Sequence, residues 1–170
     1  MKRYSHKIAS FACLLYLVSG SSSWAADPTV AEKVISEAGA RQVLSAAEHE
    51  AEALHAPCAI AVVDASGILV AFLKMDGVRA GSPDLAIGKA RTSALLQRPS
   101  AETESAVNNG RAAFATSGLM TLRGGAPLMA GAEVVGAVGI ASLDKDNDVK
   151  IAQAAAAAFA SLSPGQRAAH

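Results

Sequence analysis

The sequence predicts an α+β domain in which one antiparallel sheet is covered by helices, in the order α-β-β-α-α-β-β-α. Three observations predict it. Two pairs of apolar, strand-length runs, "CAIAVVDASGILVAFLK" and "APLMAGAEVVGAVGIAS", are each joined by a short turn. Segments with apolar residues three and four apart precede, separate and follow them. Within each pair the runs lie too close in sequence for a parallel crossover, which needs a dozen or more residues.

The N-terminus reads as a secretory leader, residues 1–25. "MKRYSHK" carries Lys2, Arg3 and Lys7 without an acid, "IASFACLLYLVSG" is an apolar run, and "SSSWA" supplies small residues before Ala26. Cleavage after Ala25 or after Ala26 fits the small-residue rule. The apolar run is shorter than the roughly 20 residues a permanent span needs, so no stable membrane span is expected. The expected location is periplasmic or secreted. A lead-in segment, 26–35, then joins the domain expected over 36–162.

The first helix runs through "EAGARQVLSAAEHEAEALHA", where Ala40, Val43, Leu44, Ala47, Ala51 and Leu54 form one apolar stripe and Pro57 ends the helix. Its start is open between a capping box at Thr29-x-x-Glu32 and an N-cap at Ser36, with Gly39 favouring the later one. Asp64 and Gly67 occupy the first and fourth places of a type I turn between two strands apolar on both faces, so both sides should be covered. Ser82-Pro83-Asp84 reads as a helix start with Ser82 as the cap, and this helix extends to about Gln97. Pro99 breaks it, and Ser100 is expected to cap a shorter helix fading at Asn108-Asn109-Gly110. A loop reaches "LMTL". The second hairpin turns at Ala130-Gly131, and the alanine-rich "DVKIAQAAAAAFASL" forms the last helix before a tail at 163–170.

Composition narrows the partners. The chain has fifteen bases and fifteen acids; losing the leader removes three bases and leaves a balance of −3. A weakly acidic surface argues against nucleic acid. Cys13 leaves with the leader, so Cys58 has no internal partner, and there is no C-x-x-C-H for covalent haem. Beside Pro57 at the start of an apolar strand, Cys58 reads as a small buried hydrophobe.

The glycine-rich stretch "RGGAPLMAGAEVVGAVGIAS" lacks the G-x-G-x-x-G spacing of a dinucleotide site and the Lys-Ser or Lys-Thr of a phosphate loop. Its glycines read as points of close backbone approach. On the first helix, His49 points away from the apolar stripe, either as a surface residue among Glu48, Glu50 and Glu52 or as an outward ligand. His55 sits where helix-end carbonyls need partners. "LDKDNDVK" begins like a calcium loop but has Val149 and Ala155 where glycine and glutamate are required, so capping by Asp146 or Asp148 accounts for it better. Asp64 or Asp76 with Lys89 offers an acid–base pair that no spacing requires.

Taken together, "AIAVVDASGILVAFLKMDG", "SPDLAIGKARTSALL", "GGAPLMAGAEVVGAVGIAS" and "DVKIAQAAAAA" resemble the GlcG/HbpS haem-binding family over roughly residues 36–160, a family related to the PduO C-terminal domain. The resemblance implies a profilin-like α/β/α layout with about five strands, homo-oligomers and haem held non-covalently. On that footing the function expected is an exported protein that buffers, delivers or senses haem. The alternatives are haem degradation, an accessory role in a periplasmic oxidation with a sensor or oxidoreductase partner, a cobalamin or other tetrapyrrole site, and a ligand-free assembly module. The site residues implied are His49 as the iron donor with Met75, Asp76, Lys89, Gly124, Gly125 and Pro127; no catalytic residue is assigned. Two departures stand out. Lys74 replaces an arginine, removing a forked donor suited to propionates, and Ile140-Ala141-Ser142 replaces Val-Ser-Gly.

Overall fold

A computed structural model describes residues 29–162, so the expected leader and tail lie outside the described residues. The chain divides into units 1–31 and 32–170, and the second holds every element below. In order these are α1 (Glu37–Ala53), β1 (Ala59–Asp64), β2 (Leu69–Lys74), α2 (Ser82–Leu96), α3 (Ser100–Asn108), a 3-10 turn (Ala112–Thr116), β3 (Gly125–Ala130), β4 (Glu133–Ala141) and α4 (Lys145–Leu162). The sheet runs β2-β1-β4-β3 with every neighbour antiparallel. The α+β class and helix–strand order hold. The described strands number four where about five were expected. The stretch between α3 and β3, expected as a loop, holds the 3-10 turn, and its later carbonyls are taken by side chains: Thr92 Oγ1 donates to Met120 and Ser100 Oγ to Leu122.

Strand alternation sorts the core into two layers. Ile60, Val62, Val138 and Ile140 face Val43, Ala47, Ile151 and Ala155 of α1 and α4. Ala59, Ala61, Val63, Ala137 and Ala141 face Ala86, Ala90 and Ala94 of α2. The α2 side is built almost wholly from small residues, and a side chain at Gly139 would collide with the Ala86 carbonyl and come within 2.5 Å of the Ala90 nitrogen. The glycine-rich stretch is therefore a hairpin at close-packing distance.

Both hairpins form as the turn residues require. Gly67 (φ 80°) closes the first, where its N–H donates to Asp64 O and Ile68 N–H donates to the Asp64 carboxylate. Gly131 (φ 68°) turns the second. A bulge leaves Val135 out of the β3–β4 register, and its carbonyl accepts the Ile35 N–H at 2.8 Å.

Ser36 caps α1, its hydroxyl accepting the Gly39 N–H at 3.2 Å. Three other capping expectations fail, two of them because tertiary partners claim the side chains of Ser100, Asp146 and Asp148. Ser82 is buried inside α2, with Gly81 at the cap. Pro99 precedes α3 while the Ser100 hydroxyl accepts the Gly125 N–H. Asp144, rather than Asp146 or Asp148, caps α4 by accepting the Asp146 N–H at 2.8 Å. The covering expected for the first hairpin holds only for β1; β2 is an edge strand, with Leu69 and Phe72 exposed.

Candidate functional site

The structure separates the expected site residues into distinct places. His49 stands exposed on α1, beside a groove of about 550 Å³ between α1 and α4. Ala46, Ala154 and Ala158 supply small apolar walls, while Gln42, Ser45 and Glu50 supply polar groups and Leu162 ends it. Ala40, Val43, Ala47 and Ala51 bury the opposite stripe of α1, which fixes the direction of His49. An adjoining groove of about 420 Å³ shares Gln42 and Leu162 and reaches Phe159 and Val34. Small ligands occupy clefts of about 300–1,000 Å³, so the volumes are adequate.

Lys89, Gly124 and Gly125 come together elsewhere. The Lys89 ammonium, 4% exposed as a residue, donates to Asp148 Oδ2 at 2.6 Å and to the Ile140 carbonyl at 2.8 Å. Asp148 Oδ1 accepts the Ser142 N–H at 2.7 Å and its hydroxyl at 2.6 Å. Gly124 (φ 111°) leaves no room for a side chain: a Cβ there would lie 2.8 Å from Asp148 Cβ and 3.2 Å from Lys89 Nζ. One at Gly125 would strike the Lys89 carbonyl. A cavity of only about 40 Å³ adjoins both glycines, roughly enough for one water. Lys89 thus pairs with Asp148, not with Asp64 or Asp76. Asp148 and Ser142 were the members missed; the signal was a lysine in α2 flanked by small residues, Ala86, Ala90 and Ser93, which leave it buried and in need of an anion.

The remaining residues stand apart. Met75 follows β2, half-buried, and its sulfur accepts the Cys58 N–H at 3.4 Å. Asp76 is exposed in the next turn, and Pro127 lies in β3. Burial, then the carboxylates of Asp148 and Glu48, push the Cys58 thiol up to about 12 against the opposing pull of Lys89. Arg123 bridges Glu104 of α3 and Asp146 of α4; the Glu104 hydrogen bond, then its charge, raises the guanidinium pKa. His55 (φ 51°) closes α1 through its backbone, donating to Glu52 O at 3.0 Å, while Ala56 N–H donates to Ala51 O at 2.9 Å.

Residues 35–157 match the family model described as "Haem degrading protein HbpS-like". The chain belongs to the HbpS-like family. Among curated relatives, Protein GlcG of Escherichia coli K12 is 38% identical over 108 residues, 63% of this chain and 81% of GlcG. Klebsiella pneumoniae protein ORFY superposes with a TM-score of 0.75 at 27% identity, covering 81% of this chain and 98% of ORFY. The PduOC:Heme complex superposes with a TM-score of 0.67 at 27% identity, covering 74% and 94%. The HbpS-like match spans α1 through most of α4, so it takes in the Lys89 cluster and the His49 groove except for Ala158 and Leu162.

Haem brings four nitrogen donors of its own and asks a protein for an axial donor and a flat apolar surface. The groove beside His49 meets those demands with one outward imidazole and alanines that let a plane approach two helices. Among the described residues no three His, Cys, Asp or Glu side chains gather as a bare metal ion would require.

Proposed function

We propose that this HbpS-like protein is exported and binds haem non-covalently as an oligomer, buffering, delivering or sensing it, with His49 as the iron donor. The observation that carries the reading is the outward His49 imidazole beside an alanine-walled groove. The family description and the haem complex of the PduOC neighbour support it. Bound haem would supply an iron centre for redox chemistry. The chain's part is to hold the disc: Ala46, Ala154 and Ala158 against its face, Gln42 and Ser45 toward polar substituents. Export rests on the basic–apolar–small pattern of residues 1–25.

The test is a haemin titration of the purified protein beside His49→Ala, followed by absorbance. A saturable Soret shift lost in the variant is expected. A wild-type spectrum that remains that of free haemin refutes the binding reading, and a shift retained in His49→Ala refutes the donor.

A second reading, haem degradation, is favoured by the family's description. Steady release of iron from bound haem, with bleaching of the Soret band, separates it from binding alone.

A further inference from the structure

Resting on the haem reading above, we infer that the His49 groove selects the ferric over the ferrous state of haem through the Glu50 carboxylate, so that one-electron reduction loosens the ligand.

Charge around the groove is one-sided. Glu50 follows His49 directly, with Cα atoms about 3.8 Å apart, and both side chains line the same groove. Glu50 is the one acid among the lining residues, and no lysine or arginine joins it. It is half-buried there, and among the described residues its carboxylate takes part in no ion pair and no side-chain hydrogen bond. Lys150 stands one turn before Ala154 on α4, outside the lining, and forms no ion pair with it. Lys33, in the adjoining groove, is held by Glu133 at 2.8 Å.

The helix adds the same sign. His49 stands beside the last turn of α1, which ends at Ala53 and holds no basic residue. Carbonyls at such an end gather partial negative charge. Glu48 and Glu52 flank the same stretch.

In a porphyrin dianion, ferric iron leaves one net positive charge at the centre and ferrous iron leaves none. A fixed anion beside the iron therefore stabilises the ferric state and leaves the ferrous state nearly untouched. Alanine walls strengthen that difference by excluding water from between the charges. Affinity and reduction potential are linked: each tenfold preference for the ferric form lowers the bound midpoint by about 59 mV. An electron supplied by a one-electron donor goes to the iron and removes the attraction, and no bond to Glu50 is made or broken. Delivery thereby gains a direction, with ferric haem taken up and a reductant at the destination releasing it.

The experiment loads the purified protein, Glu50→Gln, Glu50→Asp and Asp84→Asn with haemin and measures each midpoint by spectroelectrochemistry. Dissociation constants are taken for ferric haem and for haem reduced anaerobically with dithionite, and circular dichroism checks each fold. Asp84, exposed on α2 across the sheet, controls for the loss of an acid elsewhere. Glu50→Gln is expected to bind ferric haem about tenfold more weakly with ferrous affinity unchanged, raising the midpoint by about 59 mV. Glu50→Asp, which keeps the charge, and Asp84→Asn should stay close to the wild type. A Glu50→Gln midpoint equal to or below that of the wild type overturns the ferric selectivity and leaves haem binding in place. An equal rise in Glu50→Asp overturns it too, tracing the shift to packing, as does one in Asp84→Asn, tracing it to overall charge. A wild type that leaves the haemin spectrum unchanged overturns this selectivity and the binding reading together.

Discussion

Lys89 Nζ stands 2.6 Å from Asp148 Oδ2, and the two side chains are only 5% and 4% exposed. The pair ties α2, on one face of the sheet, to the first turn of α4 on the other. It does so past the strand β4, whose Ile140 carbonyl takes a second Lys89 hydrogen bond. Its members also hold Ser142 by two hydrogen bonds and exclude any side chain from Gly124. Such a pair is expensive to break because either charge, left alone, stays buried.

Lys89→Met is therefore expected to lower unfolding free energy by about 3–5 kcal/mol, with Asp148→Leu comparable. The double variant should recover much of that loss, since no uncompensated charge remains. Urea unfolding of the four proteins measures the coupling; additive losses would show that the two groups do not act as a pair.

Gly139→Ala tests how closely α2 lies on the sheet. The added methyl meets the Ala86 carbonyl and the Ala90 nitrogen, both main-chain atoms that cannot swing aside. A loss of about 1–3 kcal/mol is expected, as for overpacking elsewhere. A variant as stable as the parent would mean that α2 lifts freely from its seat.

The Cys58 thiol, pushed up to about 12 chiefly by burial, should resist thiol reagents at pH 8 until denaturant opens the fold. In the unfolded chain it titrates near about 8.5, so the folded state holds the proton more tightly. The sign follows: stability from this group is intact below about pH 8.5 and declines as pH rises toward 12, with a limiting slope of about 1.4 kcal/mol per unit. Cys58→Ala should flatten that alkaline decline relative to wild type, as read from denaturation midpoints between pH 8 and 11. Identical pH profiles would contradict the shift.

Much of the fold was legible because its signals are local. Ser36 sits three residues before the amide it caps, and Asp64 and Gly67 turn the chain between themselves. The stripe from Ala40 to Ala51 shows which face of α1 is inside, and with it the outward direction of His49. The failures are tertiary. Nothing near Ser100 in sequence announces that its hydroxyl will serve Gly125, and nothing near Asp148 announces Lys89, 59 positions away. Whether β2 would be a central or an edge strand was equally hidden, because its composition is as apolar as that of β1. Of the site, the residue types and the glycine turn were readable; their division among separate places required the packing.

The two central strands are also the ones made furthest apart in time. β1 meets β4 along its whole length, from Ala59 with Ala141 to Asp64 with Gly136, and only β2 is at hand while the chain between them is still being made. During synthesis the β1–β2 hairpin waits with one flank open until α2, α3 and β4 have emerged, a delay that contacts distant in sequence impose on any folding chain. A polypeptide leaving the ribosome in this order carries an unfinished sheet until β4 has been made.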